Sequence, residues 1–182
     1  MQVQQQKNVS LQKMNQHYLH TLKHINTFIF DVDGVFTNNS LLATENGELW
    51  RTFNARDGYA LKTAIEKQYT VAIITGGFSQ SVRKRLQLFG IQHFYDKIEH
   101  KKDTLLSFFK ETGISPDTCL YIGDDIPDAE AMKLCALRCA PQDAVPEIIA
   151  VANYICKNKG GQGCVREVIE MVLKTQNNWY SY

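Results

Sequence analysis

Short apolar runs alternate with amphipathic stretches along most of the chain. Residues 27–30, 70–74 and 120–122 are apolar runs of the length of buried strands, and the stretches between them have helical spacing. Strands that alternate with helices are typical of right-handed βαβ units around a parallel sheet. The pattern therefore predicts an α/β protein with a three-layer, Rossmann-like fold and a central parallel sheet.

The same pattern predicts the remaining elements. Helices are expected over residues 58–67, 79–89, 103–112, 129–137 and 165–174, and short strands over residues 93–95, 138–140 and 154–156. One interruption follows the first strand, where residues 41–44 and 49–53 flank Asn46-Gly47. Asn-Gly between two strand-like runs is a strong hairpin signal. We therefore expect a protruding β-hairpin at about residues 41–53.

Residues 1–24 differ in composition from the rest of the chain. Six glutamines replace the apolar core that a secretory signal requires. Leu19, Leu22 and Ile25 have helical spacing, which predicts a helix that packs on the body, whereas Met1 to Val9 is expected to be mobile. The predicted organisation is a partly helical extension at residues 1–24 and one domain at residues 25–182.

The charge balance and the cysteine pattern argue against several classes of protein. The 182 residues include 20 basic and 19 acidic side chains, which gives no electrostatic case for binding nucleic acid or a membrane surface. No stretch is long and apolar enough to span a bilayer. The five cysteines show neither paired zinc spacing nor the framework of a short secreted domain. We expect a soluble cytoplasmic enzyme with reduced thiols.

Two carboxylates follow the first predicted strand, in the run Asp31-Val32-Asp33-Gly34. Side chains two apart on a strand point the same way, so both can face the crevice at the carboxyl end of a parallel sheet. A carboxylate can attack a phosphate monoester while a second group protonates the leaving oxygen. Asp31 is therefore a candidate for the nucleophile, and Asp33 is a candidate for the general acid and base. The alternative is that these residues only form a turn.

A second acidic cluster, Gly123-Asp124-Asp125-Ile126-Pro127-Asp128, follows another apolar run. Mg²⁺ prefers oxygen ligands and usually takes one or two carboxylates plus substrate phosphate. Asp124 is therefore a candidate to complete a Mg²⁺ site begun by Asp31 and the Asp33 backbone carbonyl. Asp125 and Asp128 are candidate supporting residues. Asp128 either orients a ligand or simply caps the following helix.

Candidate phosphate-binding groups lie between these clusters. Thr75 and Gly76 end a predicted strand and offer a hydroxyl and backbone N–H groups near a helix N-terminus, which favours anions. The alternative is a plain strand-to-helix turn. Lys101 or Lys102 can place a cation on the phosphate, although most lysines are solvated surface residues.

These four pieces, in this order, resemble the motifs of the haloacid dehalogenase superfamily of phosphatases over about residues 25–173. The runs at residues 53–59, 123–125 and 159–167 resemble the 3-deoxy-D-manno-octulosonate 8-phosphate phosphatase family, whose members are small and have no cap domain. The resemblance implies a set of residue roles: nucleophile Asp31, acid/base Asp33, Mg²⁺ ligands Asp31, Asp33 and Asp124, and phosphate ligands Thr75 and Lys101. One departure is Gly77-Phe78, where family members often carry a charged residue.

The resemblance also implies a substrate and an assembly. The family's substrate is an eight-carbon keto acid with a terminal phosphate, on the route to the inner sugar of bacterial lipopolysaccharide, and its hairpins form a barrel at the centre of a homotetramer. Arg56, Asp57 and Arg166 are candidate substrate-binding residues, since arginine suits bidentate capture of a carboxylate. Ordinary surface or helix-start charges are the alternative. A nine-carbon acid 9-phosphate remains an alternative substrate, and a binding protein without turnover an alternative function.

Overall fold

The computed structural model describes residues 18–180, and a six-stranded parallel sheet forms its centre. The strands are β1 (Thr27–Phe30), β2 (Leu42–Ala43), β3 (Leu49–Trp50), β4 (Thr70–Ile74), β5 (His93–Tyr95), β6 (Cys119–Ile122), β7 (Leu137–Ala140) and β8 (Tyr154–Ile155). The sheet order is β5-β4-β1-β6-β7-β8, and every neighbouring pair is parallel. The predicted α/β fold with a central parallel sheet is confirmed.

Helices cover both faces of this sheet. They are α1 (residues 18–24), α2 (Ala55–Glu66), α3 (Gln80–Gln87), α4 (Lys101–Thr112), α5 (Ala129–Met132), α6 (Pro146–Val151) and α7 (Cys164–Thr175). On β1, Phe28 and Phe30 belong to a core shared with α2 and α7, whereas Ile29 belongs to a core shared with α4. Alternate residues of a fully buried strand thus face opposite helical layers, which explains its continuous apolar run.

The observed element bounds differ from the predicted ones at helix ends. Helix α2 begins three residues before the predicted start, because the Asn54 side chain accepts a 2.9 Å hydrogen bond from the Arg56 N–H and caps it there. The helix predicted over residues 129–137 is wrong in length, since α5 ends at Met132. Leu137 instead begins β7 and pairs with Leu120, because its side chain fills the core. Helix α6 was not predicted.

The predicted hairpin is present and exposed. Strands β2 and β3 pair antiparallel, with Leu42 opposite Trp50, and each has only two residues. Gly47 turns the chain at φ +78°, a conformation that favours glycine, and its N–H donates to the Thr44 carbonyl at 3.0 Å. Leu42, Leu49 and Trp50 are 45–62% exposed. Within residues 18–180 the chain has no cap domain over the sheet.

The described part of the N-terminal extension packs on the main core. Helix α1 and the residue after it bury Leu22 and Ile25, whereas Leu19 is exposed. The predicted mobility of residues 1–9 lies outside the described residues. The division into an extension at residues 1–24 and a domain at residues 25–182 stays a prediction.

The structure also bears on the state of the cysteines and on whether a helix could span a membrane. All five cysteines are buried and free. Burial raises their pKa values, so their thiols stay protonated and unreactive at neutral pH. None of the helices in residues 18–180 is long and apolar enough to cross a membrane.

Candidate active site

The predicted catalytic side chains meet at one edge of the sheet. Strands β4, β1 and β6 are neighbours, so the residues that follow them lie side by side at their carboxyl ends. A cavity of about 450 Å³ lies there. Its lining includes most of the predicted site: Asp31, Asp33, Thr75, Gly76, Lys101, Asp124, Asp125 and Asp128.

Lys101, rather than Lys102, points into this cavity. The Lys101 ammonium lies 2.9 Å from Asp31 Oδ2 and 2.7 Å from Asp128 Oδ1, and the residue is 4% exposed. Lys102 is exposed and contacts Glu130 at 3.8 Å. Helix α4 begins two residues earlier than predicted, at Lys101 itself, and its first turn directs that side chain inward.

Asp128 anchors the lysine and does not cap a helix. It is fully buried, and its Oδ1 accepts hydrogen bonds from Lys101 Nζ and, at 2.8 Å, from the Tyr121 hydroxyl. Its side chain makes no capping hydrogen bond to α5 among the described residues. A Cβ at Gly123 would lie 2.4 Å from Asp128 Cγ, so only glycine leaves room for this side chain. Tyr121 was not predicted, although a buried tyrosine hydroxyl needs a partner.

Asp124 is held by a residue that the sequence analysis missed. Asn39 Nδ2 donates to Asp124 Oδ2 at 2.7 Å, and Asn39 adopts φ +62°, which asparagine tolerates better than most residues. Gly34 at φ +80° completes the contact, since a Cβ there would lie 1.9 Å from the same Asp124 oxygen. Asp125 is exposed and caps a short 3₁₀ helix, Ile126–Asp128, by accepting from the Ile126 N–H at 2.7 Å.

The Asp33 carboxylate is paired with an arginine of the hairpin segment. Arg51 Nε donates to Asp33 Oδ1 at 2.6 Å and Arg51 Nη2 donates to Oδ2 at 2.9 Å. Arg51 directly follows β3, so it comes from outside the strand-end motifs. Sequence reasoning missed it, because its direction depends on how the hairpin folds back on the sheet.

Thr75 and Gly76 lie at the end of β4, where they line the cavity. Thr75 is 4% exposed, its N–H donates to the Tyr95 carbonyl at 2.9 Å, and its Oγ1 accepts from the Gly77 N–H at 3.3 Å. Helix α3 begins at Gln80, and the residues of its N-terminus line a different cavity, beside the hairpin. The N-cap residue of this helix, Ser79, also lines a small pocket with Asp33 and Thr75, and a role of the helix N-terminus in anion binding stays a prediction.

The carboxylates carry more negative charge than the lysine offsets. Burial, together with the charge of Asp128, raises the pKa of Asp31 to about 7 although Lys101 opposes the shift. Burial raises the pKa of Asp124 to about 6. Burial alone would lower the pKa of Lys101, but Asp31 and Asp128 outweigh it and the net shift is upward.

The donor set fits a divalent cation. Oxygens of Asp31, Asp124 and Asp128 lie within 4.8 Å of one another. Asp31 Oδ1 and Asp128 Oδ2 are buried without a hydrogen-bond partner among the described residues. Three carboxylates and one ammonium leave a formal charge of minus two, and hard oxygen ligands suit Mg²⁺.

The predicted substrate-binding residues lie outside the carboxylate cavity. Arg56 and Arg166 line a separate cavity of about 560 Å³, which shares no lining residue with the carboxylate cavity in the described chain. Asp57 is 1% exposed, and its Oδ1 accepts from the Arg166 N–H at 2.8 Å, which ties α2 to the start of α7. Burial raises the pKa of Asp57 to about 6. Arg166 also pairs with Glu170 at 3.0 Å.

The glycine-rich run at residues 160–163 contacts backbone rather than open space. Gly160 packs so closely on the loop after Asp33 that a Cβ would lie 2.0 Å from the Gly34 carbonyl oxygen. The Gly161 N–H donates to the Val35 carbonyl at 2.9 Å. The run therefore supports the loop that carries Asp31 and Asp33.

Comparison with known proteins agrees with this geometry. A family model described as haloacid dehalogenase-like hydrolase matches residues 55–135. The chain is 36% identical over 154 residues to the 3-deoxy-D-manno-octulosonate 8-phosphate phosphatase KdsC of Escherichia coli strain K12, covering 85% of this chain and 82% of that protein.

Solved structures show the same similarity. The phosphatase of that name from Moraxella catarrhalis, in complex with magnesium, phosphate and KDO, superposes with a TM-score of 0.86 at 34% identity, covering 91% of this chain and 94% of that one. The cobalt-bound Haemophilus influenzae enzyme gives a TM-score of 0.83 at 31% identity, covering 86% and 92%. This chain therefore belongs to the 3-deoxy-D-manno-octulosonate 8-phosphate phosphatase family of the haloacid dehalogenase superfamily.

Proposed function

We propose that this protein is a Mg²⁺-dependent phosphatase that hydrolyses 3-deoxy-D-manno-octulosonate 8-phosphate to KDO and phosphate. The observation that carries the proposal is the buried cluster of Asp31, Asp124, Asp128 and Lys101, whose excess negative charge fits a divalent cation. Support comes from the 34% identical relative whose structure contains magnesium, phosphate and KDO. The reaction would serve lipopolysaccharide biosynthesis.

The proposed nucleophile is Asp31. It is 7% exposed at the carboxyl end of β1, and its Oδ1 has no hydrogen-bond partner among the described residues. One oxygen of this carboxylate attacks phosphorus and forms an aspartyl-phosphate, while the bond from phosphorus to the sugar oxygen breaks. Both oxygens of Asp33, in contrast, are occupied by Arg51, which leaves that carboxylate less suited to attack.

Asp33 is the proposed general acid and base. In its protonated form it gives that proton to the leaving sugar oxygen, and as the carboxylate, the form that pairs with Arg51, it then takes a proton from the water that attacks the aspartyl-phosphate. Hydrolysis releases phosphate and regenerates the Asp31 carboxylate. This assignment rests on its position two residues from Asp31 in the lining of the same cavity.

Six groups would hold the phosphate and the metal in this scheme. Asp31, Asp124 and the Asp33 backbone oxygen would bind Mg²⁺, which neutralises charge on the transferring phosphoryl group when bound. Lys101, fixed by Asp128, and the Thr75 hydroxyl with the Gly76 N–H are proposed ligands of the phosphate oxygens. Asn39 orients Asp124.

Substrate selection is assigned to two arginines that line a cavity separate from the carboxylate cavity. Arg56 and Arg166 are proposed ligands of the sugar-acid carboxylate, and Asp57 positions Arg166 through its backbone N–H. Replacement of either arginine by alanine is expected to raise KM for the acid without changing the Mg²⁺ requirement. The homotetramer and the cytoplasmic location stay predictions.

The decisive experiment compares kcat/KM for phosphate release with Mg²⁺ from a panel of esters. The panel contains octulosonate 8-phosphate, nine-carbon acid 9-phosphates and simple sugar phosphates. We expect a preference of about a hundredfold for the eight-carbon acid, equivalent to about 2.7 kcal/mol of transition-state binding. Preference for a nine-carbon acid would contradict the proposed substrate, and no release from any ester would contradict the proposed activity.

A further inference from the structure

The ion pair between Arg51 and Asp33 joins the hairpin to the reacting groups. The arginine uses three of its nitrogens: Nε and Nη2 each bind one Asp33 oxygen, and Nη1 donates to the Leu49 carbonyl at 3.0 Å. The guanidinium is thereby fixed to the hairpin backbone at one end and to Asp33 at the other. A planar fork of this kind sets the orientation of a carboxylate as well as its distance.

The Arg51 side chain is buried although the residue belongs to an exposed segment. Its side chain is 6% exposed, whereas the preceding Trp50 is 56% exposed. Desolvating a guanidinium is unfavourable unless its donors are satisfied, and here Asp33 is its partner. The hairpin therefore directs this one polar side chain inward, towards the catalytic loop.

Gly77 leaves the space that Arg51 uses. A Cβ at this position would lie 3.1 Å from Asp33 Oδ2 and 3.4 Å from Arg51 Nη2. A side chain at this position would therefore press on Asp33 Oδ2, and the ion pair would have to shift by a few tenths of an ångström. The lack of a side chain at Gly77 thus leaves room for the ion pair between Arg51 and Asp33.

Arg51 is not among the residues that line the carboxylate cavity. The cavity lining includes Asp33 but not Arg51, whereas both residues line a small neighbouring pocket together with Phe78 and Ser79. The arginine is therefore placed to hold Asp33 and not to touch a phosphate bound beside Asp31.

We propose that Arg51 is a positioning residue that holds Asp33 in the orientation needed for proton transfer. The proposal rests on the proposed function, because it assigns Arg51 a role through the acid/base. Without the guanidinium, the hydrogen bond that the Asp33 side chain keeps among the described residues is the 3.4 Å contact from the Thr37 hydroxyl, and this side chain is 29% exposed. A carboxylate held so weakly rotates towards water, and proton transfer to the leaving oxygen slows.

The test compares Arg51→Ala and Arg51→Lys with a matched control, Arg83→Ala. Arg83 makes a similar pair with Asp96, at 2.9 Å, but does not contact Asp33. The measurements are kcat and KM for the sugar acid phosphate, kcat/KM for phenyl phosphate and 4-nitrophenyl phosphate, and thermal unfolding of each variant. The two aryl esters have similar shapes, but cleavage of phenyl phosphate depends more on protonation of the leaving oxygen than cleavage of 4-nitrophenyl phosphate does.

Loss of Arg51 is expected to lower kcat for the sugar acid phosphate about 30-fold, a part of the roughly 100-fold to 10,000-fold that a positioned acid or base contributes. KM should change less than about threefold, and kcat/KM should fall more for phenyl phosphate than for 4-nitrophenyl phosphate. Lysine should restore only part of the rate, because it lacks the two-point fork.

Three results would overturn the proposal: activity of Arg51→Ala equal to that of Arg83→Ala, equal losses on both aryl esters, or a rise in KM at unchanged kcat. The last would make Arg51 a substrate ligand. Failure of the proposed function is distinguishable, because the wild-type protein would then release phosphate from none of the three esters.

Discussion

Replacement of Lys101 by methionine tests the charge balance of the site. Methionine approximates the aliphatic stem, so the change removes the ammonium with little loss of packing. The ammonium contacts Asp31 at 2.9 Å and Asp128 at 2.7 Å in a buried setting. Removing it leaves three carboxylates close together without a cation.

The expected destabilisation follows from burial of unpaired charge. Removing one partner of a buried ion pair lowers the free energy of unfolding by about 3–5 kcal/mol. The loss should be smaller at acidic pH, because the pKa of Asp31, already raised to about 7, rises further without the lysine, and protonation removes the repulsion. Mg²⁺ should offset part of the loss at neutral pH, since it supplies the missing positive charge.

Urea unfolding of the wild type, Lys101→Met and Lys102→Met, with Mg²⁺ and with a chelator, measures these differences. Lys102 is the matched control, because it is the next residue of the same helix and is exposed. Its replacement should leave stability and phosphate release unchanged, whereas Lys101→Met should also lose most activity. Equal stability and activity of the two variants would refute the assignment of Lys101.

Three further predictions concern single residues. Asp124→Asn should raise the Mg²⁺ concentration for half-maximal activity at least about 100-fold, because loss of an outer-shell residue alone weakens metal binding 10-fold to 100-fold; an unchanged requirement would exclude Asp124 as a ligand. Gly160→Ala should lower the free energy of unfolding by about 1–3 kcal/mol through its clash with the Gly34 carbonyl, as thermal unfolding would show. Burial raises the pKa of Asp57 from 3.8 to about 6, so wild-type stability should fall as pH rises through that interval, by up to about 3 kcal/mol. Asp57→Asn should lose this contribution, so its stability should fall by up to about 3 kcal/mol less than that of the wild type over the interval, and parallel pH profiles would contradict the assignment.

The sequence predicted the parts of the site that depend on strand order. Asp31, Thr75 and Asp124 each follow an apolar run, and the carboxyl ends of neighbouring parallel strands lie at one edge. The runs themselves were recognisable because they are buried on both faces. Local composition therefore sufficed to place these residues together.

The supporting contacts could not be predicted in the same way. Asn39 meets Asp124 across 85 positions of sequence, and Arg51 reaches Asp33 only because the hairpin folds back on the sheet. The choice between Lys101 and Lys102 depends on where α4 begins, and sequence patterns leave helix ends uncertain by a residue or two. Arg56 and Arg166 have suitable chemistry, but the fold places them in another cavity.

Phosphate release by Asp31→Asn, compared with wild type and with Asp125→Asn, tests the nucleophile most directly. Asp125 is an exposed acid of the same edge that caps a 3₁₀ helix, so its replacement controls for the loss of a carboxylate. With Mg²⁺ and octulosonate 8-phosphate, Asp31→Asn should lose at least about 1,000-fold in kcat while remaining folded, and Asp125→Asn should stay within about threefold of wild type. Substantial turnover by folded Asp31→Asn would contradict the aspartyl-phosphate mechanism.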